Sequence, residues 1–352
     1  MTGKLYLIDG HALVFKMYYA FLRRPMVNSK GADTSILFGF TKYLLELIDR
    51  ERPTHLAVAF DPPGGTFRNE MYPAYKANRP PTPQLVIDAL EPLTEIVRAL
   101  NIPVLMMKGF EADDVIGSAA KRFAAEGIDV FMVTPDKDYG QLIAPHITQI
   151  KPGKSGGDDE VVDVAAVTAK YGIQTPLQVI DMLTLCGDTA DNVPGVRGVG
   201  EVGAGKLIAK YGSVENIYDH LAELSEKQRA MFEEARDHIA LSKDLVTIKT
   251  DIPLDVTARD LELSAEYSPS IADLFEKYEF NSLRSHISHI AAPVKESASA
   301  NINVSAAAPA AVMEAARADG RCSICAPAVS DIFASVRCSR KRVTTSPSAR
   351  RS

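Results

Sequence analysis

The sequence lacks any long apolar run. No stretch of about 18 or more apolar residues occurs, so no membrane-spanning helix is expected. Residues 1–9 lack the basic flank and small-residue cleavage site of a secretory signal, and a cytoplasmic location follows as an expectation. Cysteine is scarce, with four among 352 residues, and their spacing makes no disulfide framework. Cys322 and Cys325 form one CxxC and Cys338 follows, but no second CxxC or HxxxH pair completes a structural zinc site. Cys186, in an apolar helical stretch, reads as a core residue. A positive surplus is also missing. The net charge of −6 argues against a uniformly basic nucleic-acid coat, yet leaves room for a basic groove beside an acidic cluster.

What is present is globular. Hydrophobic residues make up 46% and charged residues 24%, enough for a sizeable core in one large or two modest domains. Apolar strand patterns at 5–8, 56–60, 104–106 and 130–133 alternate with helical patterns such as 36–48 and 115–125. That alternation predicts an α/β fold over residues 1–162, with a mostly parallel sheet and flanking helices. In such sheets ligands bind outside the carboxyl ends of the strands. Between residues 62 and 83 the pattern breaks into a long excursion rich in Pro, Gly, Arg, Lys and Tyr, placed directly after a strand end. Residues 151–160 read as a Gly/Lys/Asp-rich loop. Residues 163–290 read as mainly helical, punctuated by glycines from 187 to 205. From 291 to 352 the composition turns to Ala, Ser, Pro and Val, then to Arg340-Lys341-Arg342 and Arg350-Arg351. No core-forming periodicity is visible there, and a disordered linker or tail is expected.

The acids carry the chemical information. Asp9 ends the first strand and Asp61 the second. Glu111, Asp113 and Asp114 follow the third, and Asp136 and Asp138 follow the fourth. One Asp after a strand is ordinarily a helix cap or turn residue, and Asp113, Asp114 or Asp138 alone fits that role. Four strand ends in succession do not fit it. Gathered at one sheet edge, such carboxylates repel one another strongly. Hard divalent cations such as Mg²⁺ or Mn²⁺ relieve that crowding. Two of them about 3.5–4 Å apart activate water and stabilise both oxygens at a phosphorus. A metal-dependent hydrolase of DNA phosphodiesters is therefore expected. A further pair, Asp188 and Asp191, is spaced to share one helical face.

Two segments are suited to phosphate. Gly195, Gly198 and Gly200 precede a helical pattern carrying Lys206, so backbone N–H groups and a helix N-terminus can face a duplex backbone. Residues 200–206 also match GxxxxGK, but Leu207 stands where a nucleotide-binding loop needs Ser or Thr, and no strand leads in. In the excursion, Arg68, Lys76 and Arg79 are interleaved with Tyr72 and Tyr75. Cations suit phosphate contact and aromatic rings can stack on unpaired bases, although a solvated basic loop has the same composition.

With these residues in view, the chain resembles the 5′-nuclease domain of bacterial DNA polymerase I, related to flap endonucleases. The matching segments are Leu7-Ile8-Asp9-Gly10, Phe60-Asp61, Thr66-Phe67-Arg68, Tyr75-Lys76-Ala77-Asn78-Arg79-Pro80, Glu111-Ala112-Asp113-Asp114-Val115-Ile116-Gly117, Asp136-Lys137-Asp138 and the run from Gly187-Asp188 through Asp191-Asn192-Val193-Pro194-Gly195. They span the N-terminus to about residue 290 in the family's order. The resemblance implies a PIN-like nuclease core with a helical arch around 62–83. It also implies a helix-hairpin-helix DNA-binding region within 163–290, and two Mg²⁺ or Mn²⁺ ions. Asp9, Asp61, Glu111 and Asp113 would surround one ion. Asp113, Asp114, Asp136, Asp138 and Asp191 would hold or orient the other, with Asp188 outside them. Lys76 and Arg79 match the arch that clamps the scissile phosphate. Lys16 stands where the family commonly has Arg, which keeps the charge but loses the fork. Val202 and Gly203 replace the Lys and Thr common after the hairpin, with Lys206 one turn later. A K⁺ ion at the hairpin carbonyls is implied as well. So are DNA partners with a 5′ flap or single-strand/duplex junction, RNA–DNA primer junctions, a monomeric state and a nucleoid-associated role in replication and repair. The chain reads as the nuclease portion of a polymerase I-like protein without a polymerase domain, either truncated or frame-shifted. A non-catalytic, structure-specific DNA-binding module is the alternative.

Overall fold

The computed structural model describes residues 3–153 and 157–287. The expected tail at 291–352, with Cys322, Cys325 and Cys338, lies outside the described residues, as do residues 154–156 of the glycine-rich loop.

Six strands form one sheet in the order β3-β2-β1-β4-β5-β6. They are β1 (Lys4–Asp9), β2 (His55–Ala59), β3 (Val104–Leu105), β4 (Asp129–Val133), β5 (Ile147–Lys151) and β6 (Glu160–Val162). All pairings are parallel except β5 with β6. Twelve helices accompany the described strands: α1 (Gly10–Phe21), α2 (Ser35–Glu51), α3 (Phe67–Met71), α4 (Gln84–Ala99), α5 (Ala112–Ala125), α6 (Val164–Tyr171), α7 (Val179–Cys186), α8 (Glu201–Tyr211), α9 (Val214–Asp219), α10 (Glu226–Ala235), α11 (Ile239–Val246) and α12 (Ser270–Lys277).

The central strands are apolar almost throughout because both faces are covered. Ile8 pairs with Val58 on one side and with Val133 on the other. Alternation sends Leu5, Leu7, Ala57, Ala59, Val130 and Met132 into one core and Tyr6, Ile8, Leu56, Val58 and Val133 into the other. On the first face lies α5, through Ile116, Ala119 and Phe123, and behind it α7 and α8. On the second face lie α1, α2 and α4.

The expected helical region at 163–290 divides at its end. α12 and the 3-10 turn at 281–287 do not join α7 and α8 but complete the second core, where Ile271, Phe275 and Phe280 are fully buried. Burying each such side chain contributes about 1.5–3 kcal/mol, and the face left by α2 and α4 is the place to bury them. Phe38 meets Phe280 edge-on at 5.6 Å, and the Ser29 amide donates to Glu279 at 2.9 Å. Two strands, β5 and β6, lie where no strand was expected. β5 carries Thr148 and Gln149, and Gln149 is buried by donating to the Thr134 carbonyl at 3.1 Å. The excursion after β2 holds a single short helix, α3, and otherwise turns. Cys186 closes α7 half-buried rather than in the deep core.

Candidate active site

Asp9 ends β1 and caps α1, where its Oδ1 accepts from the Ala12 amide at 2.9 Å. Its Oδ2 accepts from Thr134 Oγ1 at 3.0 Å and Tyr139 Oη at 3.1 Å. Burial, reinforced by Asp61 and Asp136, lifts its carboxyl to about 7 despite those bonds. The chain must turn sharply here. A Cβ on Gly10 would lie 2.5 Å from the Phe60 ring and 2.7 Å from the Ala59 carbonyl, so only glycine lets β2 approach.

Asp61, just beyond β2, accepts on Oδ1 from the Ala112 amide at 2.7 Å, which pins it to the first turn of α5. Its own amide donates to His11 Nδ1 at 3.1 Å. That bond places the His11 proton on Nε2, and burial lowers the ring's pKa, so the imidazole is neutral.

Glu111 is the residue before α5, and its amide donates to Asp114 at 3.1 Å. Lys76 Nζ sits 2.8 Å from Glu111 Oε1, while Tyr75 Oη lies 3.1 Å from Oε2. Burial opposes the Lys76 charge, but Glu111 and Asp191 outweigh it and raise its pKa. Asp113 is raised well above the usual carboxylate range, chiefly by burial, with Asp114 and Glu111 adding to it against Arg68.

After β4, Asp136 accepts on Oδ1 from the Asp138 amide at 3.0 Å. Asp138 is lifted to about 8 by burial and by Asp136. Its Oδ1 is buried with no hydrogen-bond partner, the one such side-chain atom among the described residues. The loop after α7 closes the ring. Asp188 Oδ1 accepts from the Ala190 amide at 2.7 Å, and Lys137 Nζ lies 3.5 Å from its Oδ2. Asp191 pairs with Arg79, accepts from Tyr75 Oη at 3.2 Å, and has the Lys76 ammonium 3.9 Å away.

The structure thus brings Asp9, Asp61, Glu111, Asp113, Asp136, Asp138, Asp188 and Asp191 to one side of the sheet with Lys76 and Arg79. Four expected site residues have a different place. Asp114 is fully buried, and its oxygens accept from Arg68 Nη1 and Nη2 at 2.8 and 2.9 Å, from the Glu111 amide, and from the Lys249 amide at 2.8 Å. Four bonds saturate a carboxylate, so no lone pair is left for an ion. Arg68 is only 1% exposed and its remaining bonds go to the carbonyls of Leu245 and Thr247 and to Glu111, which withdraws it from phosphate. Tyr75 is buried between Glu111 and Asp191, so its ring offers no stacking face for a base. Lys16 donates to the Pro152 and Gly153 carbonyls at 3.2 and 2.6 Å and so tethers the β5–β6 loop.

In the hairpin between α7 and α8, Gly198 is exposed at φ +80° and Gly200 precedes α8, with Lys206 exposed on it. Gly195 serves packing. A Cβ there would meet the Cys186 and Gly187 backbone at 2.4 Å. The lead-in to α8 is this hairpin and not a strand, which disposes of the nucleotide-loop match. Sequence reading missed His11, Thr134, Tyr139 and Gln141. Each lies within three residues of an acid already singled out, which is the signal that was available.

The donors fit hard divalent cations. They are carboxylate oxygens, burial and neighbouring acids raise the pKa of Asp9 and Asp138, and Asp138 Oδ1 is an orphaned buried acceptor. The expected ion cradle is not preassembled, however. Among the described residues, no three acidic, histidine or cysteine side chains converge on one metal position. Lys76, Arg79 and Lys137 pair with Glu111, Asp191 and Asp188 inside the cluster.

A parallel sheet gathering acids at one edge, beside a glycine hairpin between two helices, is the build of a nuclease domain. Residues 4–172 match the family model of the 5′-3′ exonuclease N-terminal resolvase-like domain, and residues 174–268 match that of the 5′-3′ exonuclease C-terminal SAM fold. The chain belongs to the 5′-3′ exonuclease family. It is 35% identical to a 5′-3′ exonuclease of Aquifex aeolicus, over 81% of this chain and 96% of that one. It is 37% identical to DNA polymerase I of Bacillus caldotenax over 80% of this chain, and spans 32% of that relative's length. In fold it is similar to T5 5′-exonuclease with zinc ions bound, with a TM-score of 0.60 and 18% identity, covering 80% of this chain and 99% of that one. Among the described residues no helix is long and apolar enough to cross a membrane.

Proposed function

We propose that the chain hydrolyses phosphodiester bonds of DNA, and of RNA primers on DNA, at a 5′ flap or single-strand/duplex junction during replication and repair. The observation that carries this is the gathering of Asp9, Asp61, Glu111, Asp113, Asp136 and Asp138 at one edge of the sheet, delivered by the ends of four neighbouring strands, with Lys76 and Arg79 set against the cluster. Asp9, Asp61, Glu111 and Asp113 would hold one Mg²⁺ or Mn²⁺ ion, and Asp136, Asp138 and Asp191 a second. When bound, the ions neutralise the acids and supply Lewis acidity for water and phosphate. Lys76 and Arg79 supply positive charge to the oxygens of the scissile phosphate and to the charge that builds on them. Neutral His11 offers an Nε2–H donor beside Asp61. Gly198, Gly200, the first turn of α8 and Lys206 grip the duplex backbone without reading sequence. A K⁺ ion on the hairpin carbonyls, a monomeric working state and a cytoplasmic site of action belong to the same proposal.

The test is cleavage of a 5′-labelled flap substrate in Mg²⁺, with and without chelator, beside an Asp136→Asn variant. Chelator-sensitive release of the flap, absent from the variant, is expected. Tight binding without any cleavage would make the chain a DNA-binding module instead.

A further inference from the structure

The hairpin and the acid cluster are joined by one stretch of chain that is hydrogen-bonded at both ends. α11 begins beneath the hairpin. Ser242, closed to solvent, donates from Oγ to the Pro194 carbonyl at 2.6 Å, and His238 Nε2 lies 3.2 Å from the Gly195 carbonyl. Lys243, on the same helix, reaches Asp181 of α7 at 3.0 Å, and α7 leads into the hairpin.

Where α11 ends, the chain is clasped from two sides. From one side Arg68 donates to the Leu245 carbonyl at 2.9 Å and the Thr247 carbonyl at 3.1 Å, while the Lys249 amide donates to Asp114. Arg68 and Asp114 also bond Glu111, through its side chain at 3.4 Å and its amide at 3.1 Å. From the other side comes Gln141, buried in the turn that starts at Asp138. Its Nε2 donates to the Val246 carbonyl and its Oε1 accepts from the Ile248 amide, both at 2.9 Å. One segment, 245–249, is therefore bonded to the carriers of Glu111 and Asp113 and to the carrier of Asp138.

Buried polar bonds of this kind do not stretch. Leaving one unmade costs its full desolvation, so a shift of α11 is transmitted rather than absorbed. We propose that α11 and residues 245–249 form a strut through which the seating of the hairpin on duplex DNA sets the spacing of the acids, with Ser242, Gln141 and Arg68 as positioning residues. The proposal rests on the nuclease reading above and adds to it a coupling between grip and chemistry.

The test uses the full chain and two 5′-labelled substrates. One is a flap with a duplex arm, and the other a single strand too short to reach the hairpin. Ser242→Ala is expected to lower kcat on the flap about tenfold with KM unchanged, and to leave the single-strand rate intact. A rise in KM alone would reduce Ser242 to hairpin support and overturn the strut. Equal losses on both substrates would overturn it as well. Ser242→Ala combined with Gln141→Leu is expected to cost no more than the worse single change, whereas additive losses would show two independent sites. Hydrogen exchange, read in Ca²⁺ without turnover, supplies a separate measure. Duplex binding should slow exchange at 112–114 and 138–141 in the wild type and not in Ser242→Ala. No slowing in the wild type, or the same slowing in both, overturns the proposal. A wild type that shows the exchange pattern but cuts nothing would sink the nuclease reading alone.

Discussion

Arg68 and Asp114 meet fork to fork in the interior, two guanidinium nitrogens on two carboxylate oxygens at 2.8 and 2.9 Å, with both side chains closed to solvent. Both residues lie in motifs that look catalytic. Their pairing makes them a buried joint between α3, α5 and the chain after α11. Burial opposes the Arg68 charge, and Asp113, Asp114 and Glu111 outweigh it.

Removing one member of this joint leaves the other charged and buried without its two-pronged ionic partner. Arg68→Met or Asp114→Asn is expected to destabilise the fold by about 3–5 kcal/mol, read as a lower urea midpoint. A midpoint within experimental error of the wild type would show that the pair holds nothing together.

The acid cluster predicts an unusual dependence of stability on pH. Asp9 and Asp138 titrate at about 7 and about 8 in the folded chain, above their value in an unfolded one. The folded state then binds more protons than the unfolded state between those limits. Their stabilising effect is complete below about pH 4 and is lost as pH rises through 7 to 8. In chelator, calorimetry should therefore show a lower Tm at pH 8.5 than at pH 6. Added Mg²⁺ should raise Tm more at pH 8.5, where the acids are ionised. A flat profile in both conditions would contradict the crowding inferred for these carboxylates.

Lys76 stands 2.8 Å from Glu111 and is less exposed than Arg79 and Lys137, which also pair with the cluster. Lys76→Ala is expected to lower single-turnover cleavage by about 10²–10³-fold, the usual scale for removing one donor to developing charge. The folded state should persist, since neighbouring acids can ionise less. Cleavage within threefold of the wild type would remove Lys76 from the chemistry.

Lys16 is expected to behave differently from an arginine-like phosphate clamp. With its Nζ on the Pro152 and Gly153 carbonyls, Lys16→Met should raise proteolytic nicking at 152–153 and change flap cleavage little. A large loss of cleavage with no new nicking at 152–153 would return Lys16 to the phosphate.

Gly195→Ala tests the hairpin. The added Cβ would press on the Cys186 and Gly187 backbone at 2.4 Å, so the turn must open. Binding to a duplex arm should weaken at least tenfold while the short single strand is still cut, a difference visible in paired gel-shift and cleavage assays.

What the sequence determined by itself was local and periodic. Apolar runs such as 5–8 and 130–133 announce strands covered on both faces. An acid at each strand end announces the edge where they meet, because parallel strands deliver successive carboxyl ends to one side. The glycine hairpin was legible for the same reason, since the backbone it needs is written in its own residues. The tertiary structure alone decided which acids stay open and which are consumed. Asp113 and Asp114 are neighbours of one residue type, yet the turn of α5 sends Asp114 into two hydrogen bonds with Arg68 and one with the Lys249 amide, while Asp113 stands 3.9 Å from that guanidinium. Partners distant in sequence, such as Ser242, 48 residues beyond Pro194 of the hairpin, and Phe280, which meets Phe38 in the second core, leave no periodic trace. Their roles come from packing that forms only once the whole chain has folded.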